Sequence, residues 1–460
     1  MTTQPLGDVA DLVRGVAFAK EDKRHEYADG LIACLRTTNV QRTVEWDDLW
    51  FVPQAVAKRD DQIVRSGDIL ISTANSYELV GKVAMVTSMP HRSTLGAFIS
   101  LIRPKPHILA SYLYYQLSSH PVQAAIRACA STTTNISNVS TKKLAAIDVT
   151  VADEATQAAT VAYLDEQLSR LDASVAALLR AQANLKRYRA SVLKAACEGR
   201  LVPTEAELAR ADGRTFETGA ELLQRNLVDY RAHKAKQGKR GEPIGRGPEF
   251  TSELPAGWAW ANLEQLSADV RNGYGGKPEG ASGTRILRIS AVRALAIDVE
   301  DVRFLPGSAD QYATDLVAPN DLLFTRYNGS REFVGVCAVV PLSIKPTAHP
   351  DKLIKVQTLS HAALPQFVAL MASSGQSRKH LESRMRTTAG QSGISGSDLK
   401  SMPIPLPPFA EQHRIVAEAD RRLSLIRGAE AQVRANLARA KRLRQSILQA
   451  AFAQPGSAGQ

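Results

Sequence analysis

The fold is decided by a stretch of sequence that occurs twice: 157–197, QAATVAYLDEQLSRLDASVAALLRAQANLKRYRASVLKAAC, and 412–452, QHRIVAEADRRLSLIRGAEAQVRANLARAKRLRQSILQAAF. The two copies align without a gap, and about 15 of the roughly 41 aligned pairs are identical. Chance similarity between two alanine-rich segments does not explain the shared ending KR-x-R-x-S-x-L-x-A-A. The chain therefore contains an internal repeat.

Both copies are predicted to be long helices, because proline and glycine are scarce inside them and apolar or small residues recur every three or four positions. These residues are Val161, Leu164, Leu168, Leu171, Val175, Leu178, Leu185 and Val192 in the first copy, and Val416, Ala419, Leu423, Ile426, Val433, Leu437, Ala440 and Ile447 in the second. A helix of about 42 residues is about 63 Å long and needs a packing partner. Because a globular segment lies between the copies, we expect them to pair with each other in antiparallel directions.

Polar residues interrupt this apolar seam at Gln182, Arg189, Glu430 and Arg444. They either fix the register of the two helices, at some cost in stability, or lie at the edge of the seam with their polar ends in solvent. The sequence leaves both interpretations open.

The repeat continues more faintly in the segments before the helices. Residues 63–73 and 80–86, IVRSGDILIST and VGKVAMV, parallel 316–326 and 334–340, LVAPNDLLFTR and VGVCAVV. Each pair predicts a turn, a strand, a polar loop and a second strand. A turn rich in Ser, Thr or Gly follows in each half, TTTNIS at 132–137 and GQSGIS at 390–395. The chain order is therefore domain, helix, domain, helix.

We predict an α+β fold in which two related mixed α/β domains are separated by two long antiparallel helices that form a coiled coil, with a pseudo-twofold internal repeat. The predicted boundaries are 1–150 for the first domain, 151–198 for the first long helix, 199–253 for a linker, 254–406 for the second domain, 407–454 for the second long helix and 455–460 for a flexible tail. The linker is expected to hold one short helix near 220–235 and a basic surface run, HKAKQGKRGEP, at 233–243.

Composition favours a polyanionic partner, although a basic protein with nothing bound has the same composition. Lysine and arginine number 57 against 46 acidic residues, a formal charge of +11, and the pI is near 9.5. The cysteines, Cys34, Cys129, Cys197 and Cys337, form no CxxC pair, which predicts buried thiols in a reducing compartment and no metal site. Without a signal-like start or an apolar run of about 18 residues, we expect a cytoplasmic protein.

Several strings, in this order and with this doubling, resemble the specificity subunits of type I restriction-modification enzymes. They are SVLKAACEGRLVP at 191–203, LPAGWAW at 254–260, NDLLFTRYNGS at 320–330 with its counterpart GDIL at 67–70, and PIPLPPFAEQ at 403–412. The resemblance covers nearly the whole chain. The chain departs from the family pattern at two places: the LPxGW string occurs only before the second domain, and the first copy of PIPLPP is replaced by AIDVTVA at 146–152.

The resemblance implies that each globular segment is a target recognition domain that recognises one half of a split, asymmetric double-stranded DNA site, with the helices as a spacer. It implies two methyltransferase (M) subunits and restriction (R) subunits as partners. Those partners would bind S-adenosylmethionine, ATP and Mg and would carry out methylation and cleavage, so this chain is expected to need no cofactor and to be no enzyme.

The residues themselves agree, because the sequence has no NPPF- or DPPY-type loop, no Gly-rich cofactor fingerprint and no GxxxxGK[ST] loop. An acid–base site among carboxylates and His25, His91 or His349 stays open. The runner-up is a coiled-coil scaffold that binds proteins, which steeply salt-dependent, sequence-selective DNA binding would separate from the favoured hypothesis. A self-contained methyltransferase or nuclease is disfavoured by the missing motifs.

Candidate DNA-binding residues are those that offer hydrogen bonds to base edges from the polar loops. In the second domain they are Arg326, Tyr327, Asn328, Ser330 and Arg331, and in the first Thr73, Asn75, Ser76 and Tyr77. Secondary candidates at corresponding strand ends are Arg36, Thr38, Arg288 and Ser290, and candidates for phosphate contact alone are Lys142, Lys143 and Lys277. Ordinary polar hairpin loops are the alternative interpretation.

The duplicated basic clusters on the helices are predicted to dock partner subunits at two equivalent places, with plain solvation as the alternative. These clusters are Lys186, Arg187 and Arg189, and Lys441, Arg442 and Arg444.

Overall fold

The computed structural model describes residues 1–133, 136–236, 253–359, 361–388 and 390–453. It divides into two compact units, Met1–Arg180 with Val433–Gln460, and Ala181–Gln432. Two helices of 44 residues, Glu154–Cys197 and Phe409–Phe452, run through both units. Most of the basic run at 233–243 and the predicted tail at 455–460 lie outside the described residues.

The first unit contains the first globular domain and one part of each long helix. Its strands are β1 (Thr2–Pro5), β2 (Ala10–Arg14), β3 (Leu31–Leu35), β4 (Trp50–Pro53), β5 (Ile69–Ser72), β6 (Ala74–Asn75), β7 (Val83–Met85), β8 (Ser93–Leu95), β9 (Ile99–Pro104), β10 (Ser131–Thr133), β11 (Ile136–Asn138) and β12 (Asp148–Val151). Its helices are α1 (Leu6–Val9), α2 (Ala110–Ser118), α3 (His120–Ala128), α4 (Thr141–Ala145) and the start of α5 (Glu154–Cys197). Four sheets have the strand orders β2-β9-β5-β7, β4-β3-β8, β10-β11-β6 and β1-β12.

The second unit contains the second globular domain. Its strands are β13 (Ala259–Asn262), β14 (Ser267–Asn272), β15 (Thr284–Leu287), β16 (Val292–Arg293), β17 (Ala296–Ile297), β18 (Val302–Leu305), β19 (Leu322–Thr325), β20 (Tyr327–Asn328), β21 (Cys337–Val339), β22 (Thr347–Ala348), β23 (Leu353–Thr358), β24 (Arg386–Thr388), β25 (Gln391–Gly393) and β26 (Pro403–Leu406). In chain order its helices are α6 (Glu205–Asp212), α7 (Gly219–Lys236), α8 (Pro365–Ala372), α9 (Gly375–Arg384), α10 (Gly396–Lys400) and α11 (Phe409–Phe452), which continues into the first unit.

The two domains share one topology. The sheets β14-β23-β19-β21, β18-β15-β22, β20-β25-β24 and β13-β26 repeat the four sheets of the first unit strand for strand, and the hairpin β16-β17 is an addition. In both three-stranded sheets built on β3 and β15, one pairing is antiparallel and the other parallel. The strand β1 takes the place of the strand that follows the LPxGW string, so the first domain lacks the string but keeps the strand. The predicted α+β internal repeat is confirmed.

The turns before β5 and β19 show why the two domains differ in sequence but share one backbone conformation. Gly67 adopts φ +87°, and Asn320 adopts φ +68° at the equivalent position. Both values lie in the left-handed region, which glycine and asparagine tolerate best. The following aspartates then play the same part, since Asp68 accepts a hydrogen bond from the Arg65 N–H and Asp321 one from the Ala318 N–H.

The long helices pack along the predicted seam within each unit. In the first unit, Leu164 and Leu168 pack with Leu448, and Arg444 pairs with Asp172 at 3.1 Å. Residue numbers rise on α5 as they fall on α11, which confirms the antiparallel pairing. In the second unit, Arg189 of α5 pairs with Glu430 of α11 at 2.8 Å.

The first turn of each long helix contains a buried glutamine, Gln157 in α5 and Gln412 in α11. The Gln157 Oε1 accepts the Leu109 N–H at 2.8 Å, and its Nε2 donates to the carbonyl oxygens of His107 and Ala152. The Gln412 Oε1 accepts the Leu364 N–H at 2.9 Å, and its Nε2 donates to the carbonyl oxygens of Ala362 and Pro407. Each glutamine therefore joins its long helix to the start of a helix in the globular domain: Gln157 joins α5 to α2, and Gln412 joins α11 to α8.

We expect Gln157→Ala to destabilise the protein by about 1–3 kcal/mol, because it removes a buried side chain that satisfies the half-buried Leu109 N–H and two backbone carbonyls. Urea unfolding monitored by circular dichroism measures the effect. The matched control is Gln182→Ala, the same change at an exposed position of the same helix. Equal midpoints for the two variants would contradict the proposed role of Gln157.

The segment 199–253 departs from the predicted surface linker. Its described part, residues 199–236 and 253, contains two helices, α6 and α7, and Leu222, Asn226 and Tyr230 of α7 are buried. The fully buried carboxylate of Glu411 accepts hydrogen bonds from the Trp258 Nε1 at 2.9 Å and from the Glu205 N–H at 2.8 Å. Burial raises the pKa of Glu411. The strings LPAGW and PIPLPPFAEQ thus meet α6 at one polar contact.

In the described part of the chain, no helix is long and apolar enough to cross a membrane.

Candidate nucleic-acid interface

The polar loop and the Ser/Thr/Gly-rich turn of each half are joined in one small sheet. In the first small sheet, β6 pairs with β11, which pairs with β10; in the second, β20 pairs with β25, which pairs with β24. The two sheets repeat the same internal bond, Thr132 Oγ1 to Ser137 Oγ at 2.9 Å and Thr387 Oγ1 to Ser392 Oγ at 3.1 Å. Two motifs that lie far apart in sequence therefore form one surface in each domain.

In the second small sheet, the loop residues cover a range of exposure. Tyr327 lies directly over Gly393, where a Cβ atom would come within 2.2 Å of the tyrosine ring, so this position requires glycine. The Arg326 guanidinium lies 4.8 Å from the Tyr327 ring and reaches the Asp351 carbonyl at 3.4 Å. Asn328 is half-buried, and its Oδ1 accepts the Ser330 N–H.

Ser330 and Arg331 lie beyond the sheet, at the tip of the same loop, and both are exposed. The Arg331 guanidinium donates to the Glu382 carbonyl at 3.2 Å. The structure therefore brings all five candidates of the second domain into one loop.

The first small sheet presents different side chains. Tyr77 is 56% exposed, and Ser76 is exposed beside it. The Asn75 Oδ1 accepts the Ser76 N–H at 2.9 Å, and its Nδ2 donates to Ser72 at 3.3 Å. Thr73 is buried, its backbone carbonyl accepts the Val139 N–H, and it lines a cavity with Phe98 and Lys143.

The secondary candidates occupy equivalent strand ends but differ in freedom. The Arg36 side chain is 19% exposed, pairs with Asp48 and lies 4.4 Å from the Trp50 ring. Arg288 is 49% exposed, and its guanidinium lies 3.6 Å from Asp301. The Arg36 guanidinium is therefore engaged within its own domain.

Thr38 is exposed, whereas the Ser290 hydroxyl donates to Asp301. Among the candidates for phosphate contact, Lys142 and Lys277 are exposed. The Lys143 Nζ donates to the Cys129 carbonyl at 2.8 Å and to the Ser131 hydroxyl at 3.1 Å. Lys143 therefore braces β10 in the first small sheet.

The predicted docking clusters divide into two kinds of residue. Lys186, Arg187, Lys441 and Arg442 are exposed, as predicted for a docking surface. Arg189 and Arg444 are instead held in the helix pair by Glu430 and Asp172. These two arginines correct the prediction, because their position at the edge of the seam places an acidic residue of the opposite helix within reach. Their duplicated role is to join the helices.

Sequence reasoning missed two further features of these surfaces. Tyr188 and Leu443 occupy equivalent positions beside the exposed basic residues, and each is 47% exposed. Arg303 and Lys352 line one cavity with Lys277, Arg288 and Ser290. The repeat alignment places Tyr188 and Leu443 at equivalent positions, so the sequence could have indicated them. Arg303 and Lys352 are brought together by the packing of distant strands, which the sequence does not reveal.

Among the side chains that could bind a metal or act as reactive thiols, three of the four cysteines, Cys34, Cys197 and Cys337, are buried. No group of His, Cys, Asp and Glu side chains in the described ranges could hold a metal ion. Burial raises the pKa of Cys34 and of Cys197 to about 12, so both thiols are protonated and inert at neutral pH. Burial lowers the pKa of His349 to about 4, and its Nδ1 lies 2.6 Å from the Asp315 carbonyl.

The shared topology and the paired helices have relatives among known proteins, although no protein-family model matches the chain. The chain is 32% identical over 451 residues to the type I restriction enzyme EcoKI specificity subunit of Escherichia coli strain K12, an alignment that covers 97% of the chain and 87% of the relative. It is 26% identical over 458 residues to the StySPI specificity subunit of Salmonella potsdam, with 98% and 88% covered.

A solved chain from a study of complex assembly and conformational transition in a type I R-M system has the same fold. Its TM-score is 0.58 at 16% identity, and the match covers 98% of this chain and 97% of that chain. The long alignment with the Escherichia coli relative decides the family. The chain belongs to the specificity subunits of type I restriction enzymes.

Proposed function

We propose that this chain recognises a bipartite, asymmetric double-stranded DNA target and positions methyltransferase and restriction subunits on it. The observation that carries the proposal is the pair of domains with one topology whose small sheets present different side chains. Two equivalent surfaces with unlike hydrogen-bonding groups fit a target with two unlike halves. The net charge of +11 suits a polyanion.

The second small sheet carries the richer set of groups for base recognition. Arg326 and Arg331 carry donors that suit guanine O6 and N7, and the Asn328 amide carries the donor and acceptor that suit adenine N7 and N6. The first small sheet offers Asn75 and Tyr77 instead. The two half-sites therefore differ in sequence.

The long helices are proposed to act as the spacer between the two half-sites. The centres of the two DNA half-sites would be about one turn of the DNA double helix apart, roughly 34–36 Å. The ion pairs Arg189–Glu430 and Arg444–Asp172 support a fixed register for the helix pair.

Two copies of one partner are proposed to dock on equivalent helix surfaces. One surface consists of Lys186, Arg187 and Tyr188, and the other of Lys441, Arg442 and Leu443. An exposed apolar side chain flanked by two exposed cations at each place supports this proposal. The partners would be two methyltransferase subunits, joined by restriction subunits.

The proposal assigns no chemical step to this chain. S-adenosylmethionine, ATP and Mg would be bound by the partner subunits, which would methylate adenine and cleave DNA. The complex would work in the cytoplasm, where the DNA is.

Methylome sequencing of the host with and without this gene tests the proposal. We expect one split adenine motif to lose its methylation when the gene is removed, and to regain it when the gene is supplied on a plasmid. The motif would also identify both half-sites. A methylome that stays the same while the methyltransferase subunits are expressed would contradict the proposal and favour the protein-binding scaffold.

A further inference from the structure

A cationic cavity lies in the second domain beside the second small sheet. Its volume is about 450 Å³, and its charged lining consists of Lys277, Arg288, Arg303, Lys352 and Asp351. In the described part of the chain, no carboxylate lies within ion-pair distance of Lys277, Arg303 or Lys352. Three cations therefore face the cavity without a charged partner.

The cavity is linked to the recognition loop through the backbone. The Arg326 N–H donates to the Lys352 carbonyl at 2.8 Å, and the Arg326 guanidinium reaches the Asp351 carbonyl at 3.4 Å. On the other side, the Tyr274 and Asp351 N–H groups bond the loop 273–278 to 349–351, each at 2.8 Å. A ligand in the cavity would thus lie next to whatever the second small sheet contacts.

The strand register allows a residue-by-residue comparison with the first domain. Trp50 pairs with Cys34 in the first domain, and Arg303 pairs with Ile286 at the equivalent place. Phe98 and Lys352 are also equivalent, since the carbonyl of Phe98 accepts the Thr73 N–H and that of Lys352 accepts the Arg326 N–H. The first domain therefore has two aromatic residues where the second has two cations.

The aromatic pair changes the chemistry of the first domain. The Trp50 ring has Lys23 at 3.9 Å and Arg36 at 4.4 Å, so both cations are engaged by the ring. In the second domain Arg303 is exposed at that position, and Arg288 is 49% exposed. At the position of Trp50, the second domain therefore presents a cation, Arg303, that no aromatic ring of the described residues covers.

We infer that the cavity binds one or two phosphodiester groups of the DNA backbone next to the bases that the second small sheet recognises. Anionic ligands with several acceptor oxygens suit a site in which Lys277, Arg303 and Lys352 outnumber the one unpaired carboxylate, Asp351. Phosphate contacts of this kind fix the position of a protein on DNA without selecting sequence. The inference rests on the proposed function and adds an asymmetry: where the second domain has Arg303 and Lys352, the first has the aromatic residues Trp50 and Phe98.

The test measures DNA binding by the full chain, alone or in its complex with the methyltransferase subunits, as a function of salt. The test variant is Arg303→Gln/Lys352→Gln, and the matched control, Lys58→Gln/Lys345→Gln, removes two exposed lysine charges away from the cavity. The duplexes are the target found by methylome sequencing and a shuffled version of it.

For the test variant we expect the slope of log affinity against log salt to become shallower by about 1–2, and affinity at 0.1 M salt to fall about tenfold per lost contact. The loss should be similar for both duplexes, because backbone contacts do not select sequence. An unchanged slope would overturn the inference, and so would a loss confined to the target duplex.

A second variant separates the loss of charge from a loss of folding around the cavity. Arg303→Trp/Lys352→Phe places the residues of the first domain at the same positions of the same topology. We expect it to lose the same part of the salt slope, and retention of the full slope would also overturn the inference. If the unaltered chain shows no preference for the target over the shuffled duplex, the proposed function itself fails, which is a different outcome.

Discussion

A chain that lacks one heptad in each long helix is expected to recognise a target whose spacer is shorter by about three base pairs. Deleting 175–181 from α5 and 433–439 from α11 removes about 10.5 Å from each helix at 1.5 Å per residue. One base pair of DNA corresponds to about 3.4 Å. The deletions lie between the two ion pairs, so Arg189–Glu430 and Arg444–Asp172 can both still form. Methylome sequencing of a host that carries the variant reports the spacer directly.

The single deletions serve as controls for this experiment. Removing the heptad from one helix alone puts the two ion pairs out of register with each other, so such a chain can keep the Leu164–Leu448 contact only by losing the Arg189–Glu430 pair, or the reverse. We expect hosts that carry such chains to show no methylation at targets with either spacer length. A paired deletion that keeps the original spacer would show that the helices do not set it.

The helices could be predicted from sequence because their information is local. A heptad pattern, the scarcity of glycine and the duplication indicate both helices, and the structure begins them at Glu154 and Phe409. The outcome for Arg189 and Arg444 depends on the opposite helix. Their acidic partners, Glu430 and Asp172, do not occupy equivalent positions in the repeat, so the alignment gave no sign of them.

The packing of the segment after α5 could not be predicted for a similar reason. Gly, Pro and basic residues suggested a surface linker, yet Glu411, more than 200 positions after α6, accepts the Glu205 N–H. A buried carboxylate that joins distant strings has no local signature. The strings LPAGW and PIPLPPFAEQ indicate the family, but nothing in either string indicates that Trp258 and Glu411 are in contact.

The candidate site was half visible in the sequence. The polar loops and the Ser/Thr/Gly-rich turns were both recognised, but their pairing as β6 with β11 and β20 with β25 is long-range. The requirement for Gly393 follows only from the Tyr327 ring that covers it. Arg303 and Lys352 are not conspicuous in the sequence. The register of β15 with β18 shows that Arg303 corresponds to Trp50, and a shared backbone hydrogen bond shows that Lys352 corresponds to Phe98.

Replacing Asn328 with alanine is expected to weaken recognition of one half-site alone. Asn328 is half-buried in β20, and in the described structure its side chain makes one local hydrogen bond, to the Ser330 N–H, so the fold should tolerate the change. A bidentate contact to a base contributes about 1–3 kcal/mol of discrimination, which corresponds to a loss of about 10- to 100-fold for the matching base. Binding to duplexes with each half-site randomised in turn measures it.

The matched control is Asn75→Ala, which changes the equivalent loop of the first domain. Asn75 lies in β6 as Asn328 lies in β20, and each Oδ1 accepts a nearby backbone N–H. We expect Asn75→Ala to weaken recognition of the half-site that the first domain binds, and to leave recognition by the second domain unaffected. Because the small sheets are separate surfaces in separate units, the two losses should add in the double variant. If either single variant weakened both half-sites equally, the asparagines would be supporting the loops and the bases would be recognised by other residues.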